Sequence, residues 1–102
     1  MKYRNFTPHA IVLNDGTEYQ SEGVARVAAE FKETEIQGEF ETTYGEIQGL
    51  PEPEEGTKII VSMMVLSAAR GKRNDLVAPA TGHPECVRNE GRIVSVPGFV
   101  IS

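Results

Sequence analysis

Apolar and polar residues alternate along much of the first half of the chain, which is the pattern of strands with one face toward a core. Two strand-like segments, 10–13 and 17–20, flank the tripeptide Asn14-Asp15-Gly16. Asp-Gly between such segments predicts a hairpin, because glycine adopts positive φ at no steric cost. Residues 24–31 alternate next, and they predict a half-buried strand.

Residues 34–50 continue the alternation and predict one or two further strands. One parity is apolar or hydroxyl-bearing and consists of Ile36, Phe40, Thr42 and Tyr44. The other parity is mainly acidic and consists of Glu35, Gln37, Glu39 and Glu41. We therefore expect an outer face rich in carboxylates, followed by an exposed loop at 51–56, where prolines and glutamates are unsuited to burial.

The second half of the sequence contains one helix signal among short strands. Residues 57–61 include a β-branched apolar run that predicts a buried strand. Ser62 can cap a helix over 63–70 by accepting from backbone amides, and Gly71 stands where a left-handed residue would end that helix. Further strands are predicted at 76–78, 86–88, 92–96 and 99–101.

These elements predict a single domain over 1–102 that is mainly β (α+β), built as a small antiparallel sheet or sandwich with one short helix. The 102 residues are 39% hydrophobic and include four phenylalanines and three tyrosines but no tryptophan. A chain of this size and composition can bury only a small hydrophobic core, which gives a single copy little stability. We therefore expect a homo-oligomer.

The sequence does not suggest export or membrane insertion. Its first residues lack the apolar run of a signal peptide, and the longest apolar stretch, 59–66, is interrupted by Ser62 and too short for a membrane span. A single cysteine, Cys86, excludes an internal disulfide and fits a reducing compartment. We expect a soluble cytoplasmic protein with no membrane partner.

Charge is distributed unevenly along the chain, whose net charge is −5. Residues 30–55 hold nine glutamates and one cation, Lys32, and so carry −8. Residues 56–102 hold six cations and three carboxylates and so carry +3, while residues 1–29 are balanced. One region therefore suits a basic partner, and another suits an anion such as phosphate.

Three of the cations, Arg70, Lys72 and Arg73, lie directly after the predicted helix. Guanidinium and ammonium groups bind phosphate through charge-assisted hydrogen bonds, which predicts a phosphate-bearing small molecule such as a nucleotide signal as the ligand. In this hypothesis Asn74 contacts the base or ribose, and Tyr44 or Phe99 stacks on it. The alternative is that the cations complement the helix dipole and keep the surface solvated.

The carboxylates of the acidic parity support a second hypothesis. Glu35, Glu39 and Glu41 lie on one parity of a predicted strand, where neighbours are roughly 7 Å apart, a spacing comparable with that of phosphates in nucleic acid. Such a face suits a basic groove on another protein, although an ordinary solvated face has the same composition. We expect no direct binding to nucleic acid.

Catalytic and metal sites are not indicated. His83 and Cys86 lie three positions apart, but His9 is the only other imidazole, and a zinc site needs more ligands. Ser62 lacks the Gly-x-Ser-x-Gly turn of a hydrolase nucleophile. We therefore expect no catalytic residue, no metal and no cofactor, and a protein that is not an enzyme.

Five short motifs follow one another along nearly the whole chain: Asn5-Phe6-Thr7-Pro8-His9, Thr43-Tyr44-Gly45-Glu46, Gly49-Leu50-Pro51-Glu52-Pro53, Arg73-Asn74-Asp75-Leu76 and Arg88-Asn89-Glu90-Gly91-Arg92-Ile93. Together they resemble a family of small, mostly uncharacterised accessory proteins of bacteriophages and prophages. The resemblance implies a viral origin more directly than it implies an activity.

By analogy, small phage proteins of this kind are often anti-defence factors. One mode is a sponge that sequesters a nucleotide-type immune signal. Another is an acidic, anti-CRISPR-like inhibitor that binds a bacterial defence protein, and a third reading is a minor structural or assembly protein of the virion. No binding residue is transferred from these groups to this chain.

Overall fold

The computed structural model describes residues 1–101, and the fold is mainly β with one short helix, as the hydrophobic pattern predicts. The strands are β1 Lys2–Asn5, β2 Ile11–Val12, β3 Glu18–Tyr19, β4 Ala29–Glu33, β5 Phe40–Tyr44, β6 Thr57–Ile60, β7 Leu76–Pro79, β8 Val87–Asn89, β9 Arg92–Ser95 and β10 Phe99–Ile101. The helix, α1, is Met63–Ala68. Across this described part of the chain, no helix has the length and apolar character needed to cross a membrane.

A four-stranded mixed sheet in the order β1-β6-β7-β10 forms the centre of the domain. The pairs β1–β6 and β6–β7 are parallel, and α1 connects β6 to β7 as a compact βαβ unit. β10 completes the sheet antiparallel to β7. Three antiparallel hairpins, β2–β3, β4–β5 and β8–β9, account for the other strands.

The main core lies on the side of the central sheet that faces α1. Its buried cluster is Phe6, Ala25, Ile59, Val61, Val65, Leu66, Ala69, Leu76 and Ala78. The opposite side of the sheet carries Ile60 and Val77, which are also buried. Because burial on both sides requires an apolar strand, the run at 59–61 is the strongest strand signal in the sequence.

The helix begins where its cap is predicted and ends slightly earlier. The Ser62 hydroxyl oxygen accepts a hydrogen bond from the Val65 amide at 3.3 Å. The helix ends at Ala68, two residues before the predicted end, and Gly71 then adopts a left-handed φ of 79°. The cations at 70–73 therefore lie on a turn that follows α1.

Residues 28–44, which we call the arm, contain the β4–β5 hairpin, and all of them are exposed. The prediction of a half-buried strand at 24–31 is wrong: the strand begins at Ala29, and burial stops at the half-buried Val27. The domain is accordingly elongated, with extents of 49 × 36 × 19 Å. Its radius of gyration is 15.2 Å, whereas about 13 Å is typical of a compact chain of this length.

Candidate functional site

Arg73, one of the three clustered cations, is held in an internal ion pair. It donates from Nε to Asp75 Oδ1 at 2.9 Å and from Nη2 to Asp75 Oδ2 at 2.6 Å. A third bond runs from Nη1 to the carbonyl oxygen of Pro51 at 3.0 Å. These hydrogen bonds hold the pKa of the Asp75 carboxyl below its ordinary value and raise the pKa of Arg73. Arg73 thus joins the 51–56 loop to the start of β7.

The other two cations, Arg70 and Lys72, are exposed and border an open concavity of about 500 Å³. Asn74 also lines it, so the structure brings Arg70, Lys72, Arg73 and Asn74 together as the hypothesis of a phosphate site requires. The amides of Arg70 and Lys72 donate to carbonyl oxygens at the end of α1, at 3.3 and 2.8 Å. These two amides are therefore not free to bind an anion in this concavity.

The two aromatic residues predicted to stack on a ligand lie elsewhere. Phe99 packs in a cluster with Tyr3, at 4.9 Å between ring centroids, and with Tyr19, at 6.1 Å. Tyr44 lies in the arm, opposite Ala29. Among residues 1–101, neither ring belongs to the lining of the cationic concavity.

The arm has two chemically different faces, because side chains alternate along each strand. The cross-strand pairs Phe31–Thr42, Ala29–Tyr44 and Glu33–Phe40 define the aromatic face. The pairs Glu30–Thr43 and Lys32–Glu41 define the opposite, charged face. The rings of Phe31 and Phe40 are 6.2 Å apart, yet these side chains are 74% and 57% exposed.

The predicted acidic residues lie toward the far end of the arm. Glu35 and Glu39 are in the turn between β4 and β5, and Glu41 is on the charged face opposite Lys32. The Thr34 hydroxyl donates to the carbonyl oxygen of Glu39 at 3.0 Å and closes the turn. With five glutamates and one lysine, residues 28–44 carry a charge of −4.

Sequence reasoning identified the carboxylates of the arm but missed the importance of Phe31 and Phe40. The alternation places Phe40 on the parity of Tyr44, and only the hairpin register brings Phe31, which is paired with Thr42, to the same face. Alternation predicts that such residues face a core, whereas here they face solvent. The exposed aromatic face is therefore a structural finding.

The two chain segments that lead into the arm are hydrogen-bonded to each other at its base. Arg26 and Gln48 exchange backbone hydrogen bonds of 2.9 and 2.8 Å, and the amide of Gly45 donates to the carbonyl oxygen of Ala28 at 2.9 Å. Gly49 follows with φ of 87°, and a Cβ there would clash with the carbonyl oxygen of Val24. The base of the arm is thus tightly packed although the arm itself is exposed.

The pair His83 and Cys86 forms a turn. The Cys86 amide donates to the carbonyl oxygen of His83 at 3.0 Å, and His83 Nδ1 accepts from the Glu85 amide at 3.0 Å. Within residues 1–101, no three or more His, Cys, Asp or Glu side chains are grouped so that they could hold a metal ion.

Comparison of the chain with protein-family models, curated proteins and solved structures finds no match. Two surfaces are therefore the basis for a functional proposal. The arm combines exposed aromatic rings with a strong negative charge. The cationic concavity combines Arg70, Lys72 and Asn74 on an open surface.

Proposed function

We propose that this protein is a non-enzymatic binding protein that docks its arm on a basic surface of another protein. The observation that carries the proposal is the arm itself: residues 28–44 are all exposed, and they present aromatic rings and a charge of −4. A two-stranded hairpin is marginally stable alone in water. A partner that covers the aromatic face would remove this apolar surface from water and stabilise the hairpin.

The partner chemistry follows from the two components of the arm. Aromatic side chains such as Phe31 and Phe40 supply apolar area at low entropic cost and are common anchors in interfaces. The carboxylates accelerate encounter with a positively charged surface and disfavour acidic partners. We therefore infer a partner surface that has lysines or arginines around an apolar depression.

The biological setting proposed here is a phage-encoded inhibitor of a bacterial defence protein, acting in the host cytoplasm. Its support is the motif resemblance, together with an acidic arm of the kind that can fill a basic groove. A minor structural role in the virion is the alternative, and it predicts that the protein co-purifies with phage particles.

The test compares two charge-reversal variants that change the net charge equally. The partner that co-purifies with the tagged full-length protein from bacteria is identified by mass spectrometry and purified separately. Glu35→Lys, Glu39→Lys and Glu41→Lys together should weaken its calorimetric affinity by about tenfold or more. The control, Glu52→Lys, Glu54→Lys and Glu55→Lys, alters the exposed 51–56 loop outside the arm and should have a much smaller effect. Equal weakening by both variants would contradict docking through the arm.

A second candidate function is sequestration of a phosphate-bearing small molecule, such as a nucleotide signal. The observation that favours it is the concavity of about 500 Å³ bordered by Arg70 and Lys72. Because Asp75 already balances the charge of Arg73, the binding charge would come from the other two cations.

Mass spectrometry of compounds released by heat tests this second function. Protein purified from infected cells should release a nucleotide, and the double variant Arg70→Glu, Lys72→Glu should release much less. The control, Lys2→Glu with Arg92→Glu, makes the same charge change at two exposed residues outside the concavity and should retain the compound. If neither wild type nor control releases a nucleotide, this function is excluded.

A further inference from the structure

β10 forms one edge of the central sheet, and its exposed positions are apolar. Its sequence is Phe99-Val100-Ile101, without a charge or a proline, and Ile101 is 68% exposed. Edge strands that remain in water are usually very short or carry charges, prolines or bulges that prevent pairing with another chain. β10 is short, with three residues, but within the described residues it has no charge, proline or bulge.

The hydrogen-bond pattern identifies which backbone groups face outward. The carbonyl oxygen of Gly98 accepts from the Ala80 amide at 3.0 Å, and the next pairs in the antiparallel register are Phe99 with Pro79 and Val100 with Ala78. Because successive residues of an antiparallel strand point their backbone groups to opposite sides, Val100 faces β7. Phe99 and Ile101 direct their amide and carbonyl groups to the open edge.

The opposite edge of the sheet, β1, is protected. It carries Lys2 and Arg4, and the Arg4 guanidinium forms an ion pair with Glu22 at 3.2 Å. Its last residue, Asn5, forms a bridge with Ser21. The two edges therefore differ in chemistry, and β10 is the one that can accept another strand.

The surroundings of β10 indicate which partner fits. Residues 76–84 and 93–101 contain no aspartate, glutamate, lysine or arginine. Arg88 donates to the carbonyl oxygen of Thr81 at 2.8 Å, so the charge that reaches these residues is positive. Met63 and Val100, which are 47% and 36% exposed, line a common concavity of about 300 Å³. Two copies of a chain with net charge −5 repel each other, so they can associate most readily where this charge is absent.

We propose that a second copy of the chain pairs with the outer edge of β10. The two β10 strands run antiparallel about a two-fold axis, so that the outward amides and carbonyls of Phe99 and Ile101 bond across the interface. The two central sheets then form one continuous eight-stranded sheet. This dimer is independent of the arm, which remains free to bind its partner.

Analytical ultracentrifugation of the full-length protein tests the dimer. Wild type should sediment with twice the mass of the chain. Ile101→Lys places a charge on the edge at an exposed site and should halve that mass. The control, Val87→Lys, introduces the same charge at a residue that is 46% exposed on β8 and should remain dimeric. A monomeric wild type, or a folded Ile101→Lys variant that stays dimeric, would overturn the proposal.

A second measurement requires no variant and serves if Ile101→Lys fails to fold. Hydrogen exchange of the Ile101 amide, followed by NMR, should slow as the concentration of wild-type protein rises. The exchange rate is measured across the protein concentrations at which sedimentation shows the dimer forming. If the rate does not change with concentration there, the interface lies elsewhere and the proposal is overturned.

Discussion

Asn5 illustrates how one buried side chain organises several turns at once. Its Nδ2 group donates to the carbonyl oxygens of His9 at 2.8 Å and Tyr19 at 2.9 Å. Its Oδ1 atom accepts from the Thr7 amide at 2.9 Å and from the Thr7 hydroxyl at 2.7 Å. Asn5 has no exposed surface, so these four bonds replace all of its hydration. The first motif of the chain thus has a clear structural role.

We expect Asn5→Ala to lower the free energy of unfolding by about 3 kcal/mol, because it leaves buried carbonyl and amide groups without partners. The measurement is urea unfolding followed by circular dichroism. Asn74→Ala, at an exposed asparagine, is the matched control and should shift the free energy by no more than about 0.5 kcal/mol. Equal unfolding midpoints for the two variants would show that the network contributes little.

The Arg73–Asp75 pair predicts a pH dependence of stability. Because Arg73 lowers the pKa of the folded-state Asp75 carboxyl below its ordinary value of 3.8, the pair stabilises the protein at every pH above that value. This contribution is lost as the pH falls through the lower folded-state pKa. We expect Asp75→Asn to reduce the free energy of unfolding by about 2 kcal/mol at neutral pH. The difference from wild type should disappear at the acid end of a urea titration series.

A difference that persists unchanged under the most acidic conditions would assign the effect of Asp75→Asn to the amide group that it introduces beside Arg73, and not to the lost charge. Asp15→Asn is a useful comparison, because the pKa of Asp15 is also lowered, chiefly by its hydrogen bond from the Thr17 amide, but the group is fully exposed. The difference in the free energy of unfolding between Asp15→Asn and wild type should therefore change much less with acid than the difference for Asp75→Asn.

At the scale of elements, the base of the arm depends on backbone geometry at Gly49. Gly38, in the turn of the arm, has a similar φ of 89°, but a Cβ there would meet no atom within 4 Å. Alanine at either position destabilises the protein by about 1 kcal/mol, because a residue with a Cβ is strained in the left-handed backbone conformation. Only Gly49→Ala also meets the carbonyl oxygen of Val24, so it should destabilise by about 3 kcal/mol in total. Chemical denaturation of both variants checks this, and similar losses would show that the clash is relieved.

Local signals predicted some elements well and left others unpredicted. The turn residues at Asp15-Gly16 predict the β2–β3 hairpin, and Ser62 predicts the start of α1, because both act within a few residues of chain. β1 is not predicted, since Tyr3, Arg4 and Asn5 lack an apolar run and pair with a strand some fifty residues later. Alternation of apolar and polar residues shows that a strand has two different faces. It does not show whether another part of the protein covers the apolar face, and in the arm no part of residues 1–101 does.

The sequence likewise predicts part of the candidate site, namely its charged segments, but not the long-range contacts that position its residues. Charge along the sequence identified both the cations at 70–73 and the acidic segment that became the arm. The bond from Arg73 to Pro51, which joins residues far apart in sequence, was not predictable from local pattern. Nor was the separation of Tyr44 and Phe99, because each ring is positioned by long-range packing rather than by its neighbours in sequence.

At the scale of the whole molecule, the exposed arm and the buried core occupy different parts of the chain. Every member of the core cluster lies outside residues 28–44. The Gly45 amide donates to the carbonyl oxygen of Ala28, so by alternation the next hydrogen-bonded pair of the register is Glu30 with Thr43. Replacing 31–42 with Asn-Gly should therefore close a two-residue hairpin on that pair without altering the register below it. Folding and dimerisation should therefore survive this deletion, whereas binding to the basic partner should be lost.

Three measurements on the deletion variant check this separation. Cooperative urea unfolding should keep a midpoint near that of wild type, since few buried contacts are removed. Sedimentation should still report a dimer, because β10 is unchanged, and calorimetry should detect no partner binding. If the shortened chain fails to unfold cooperatively, the arm stabilises the domain in a way that its exposure does not reveal. If it folds and still binds the partner with full affinity, the docking surface lies on the body of the protein.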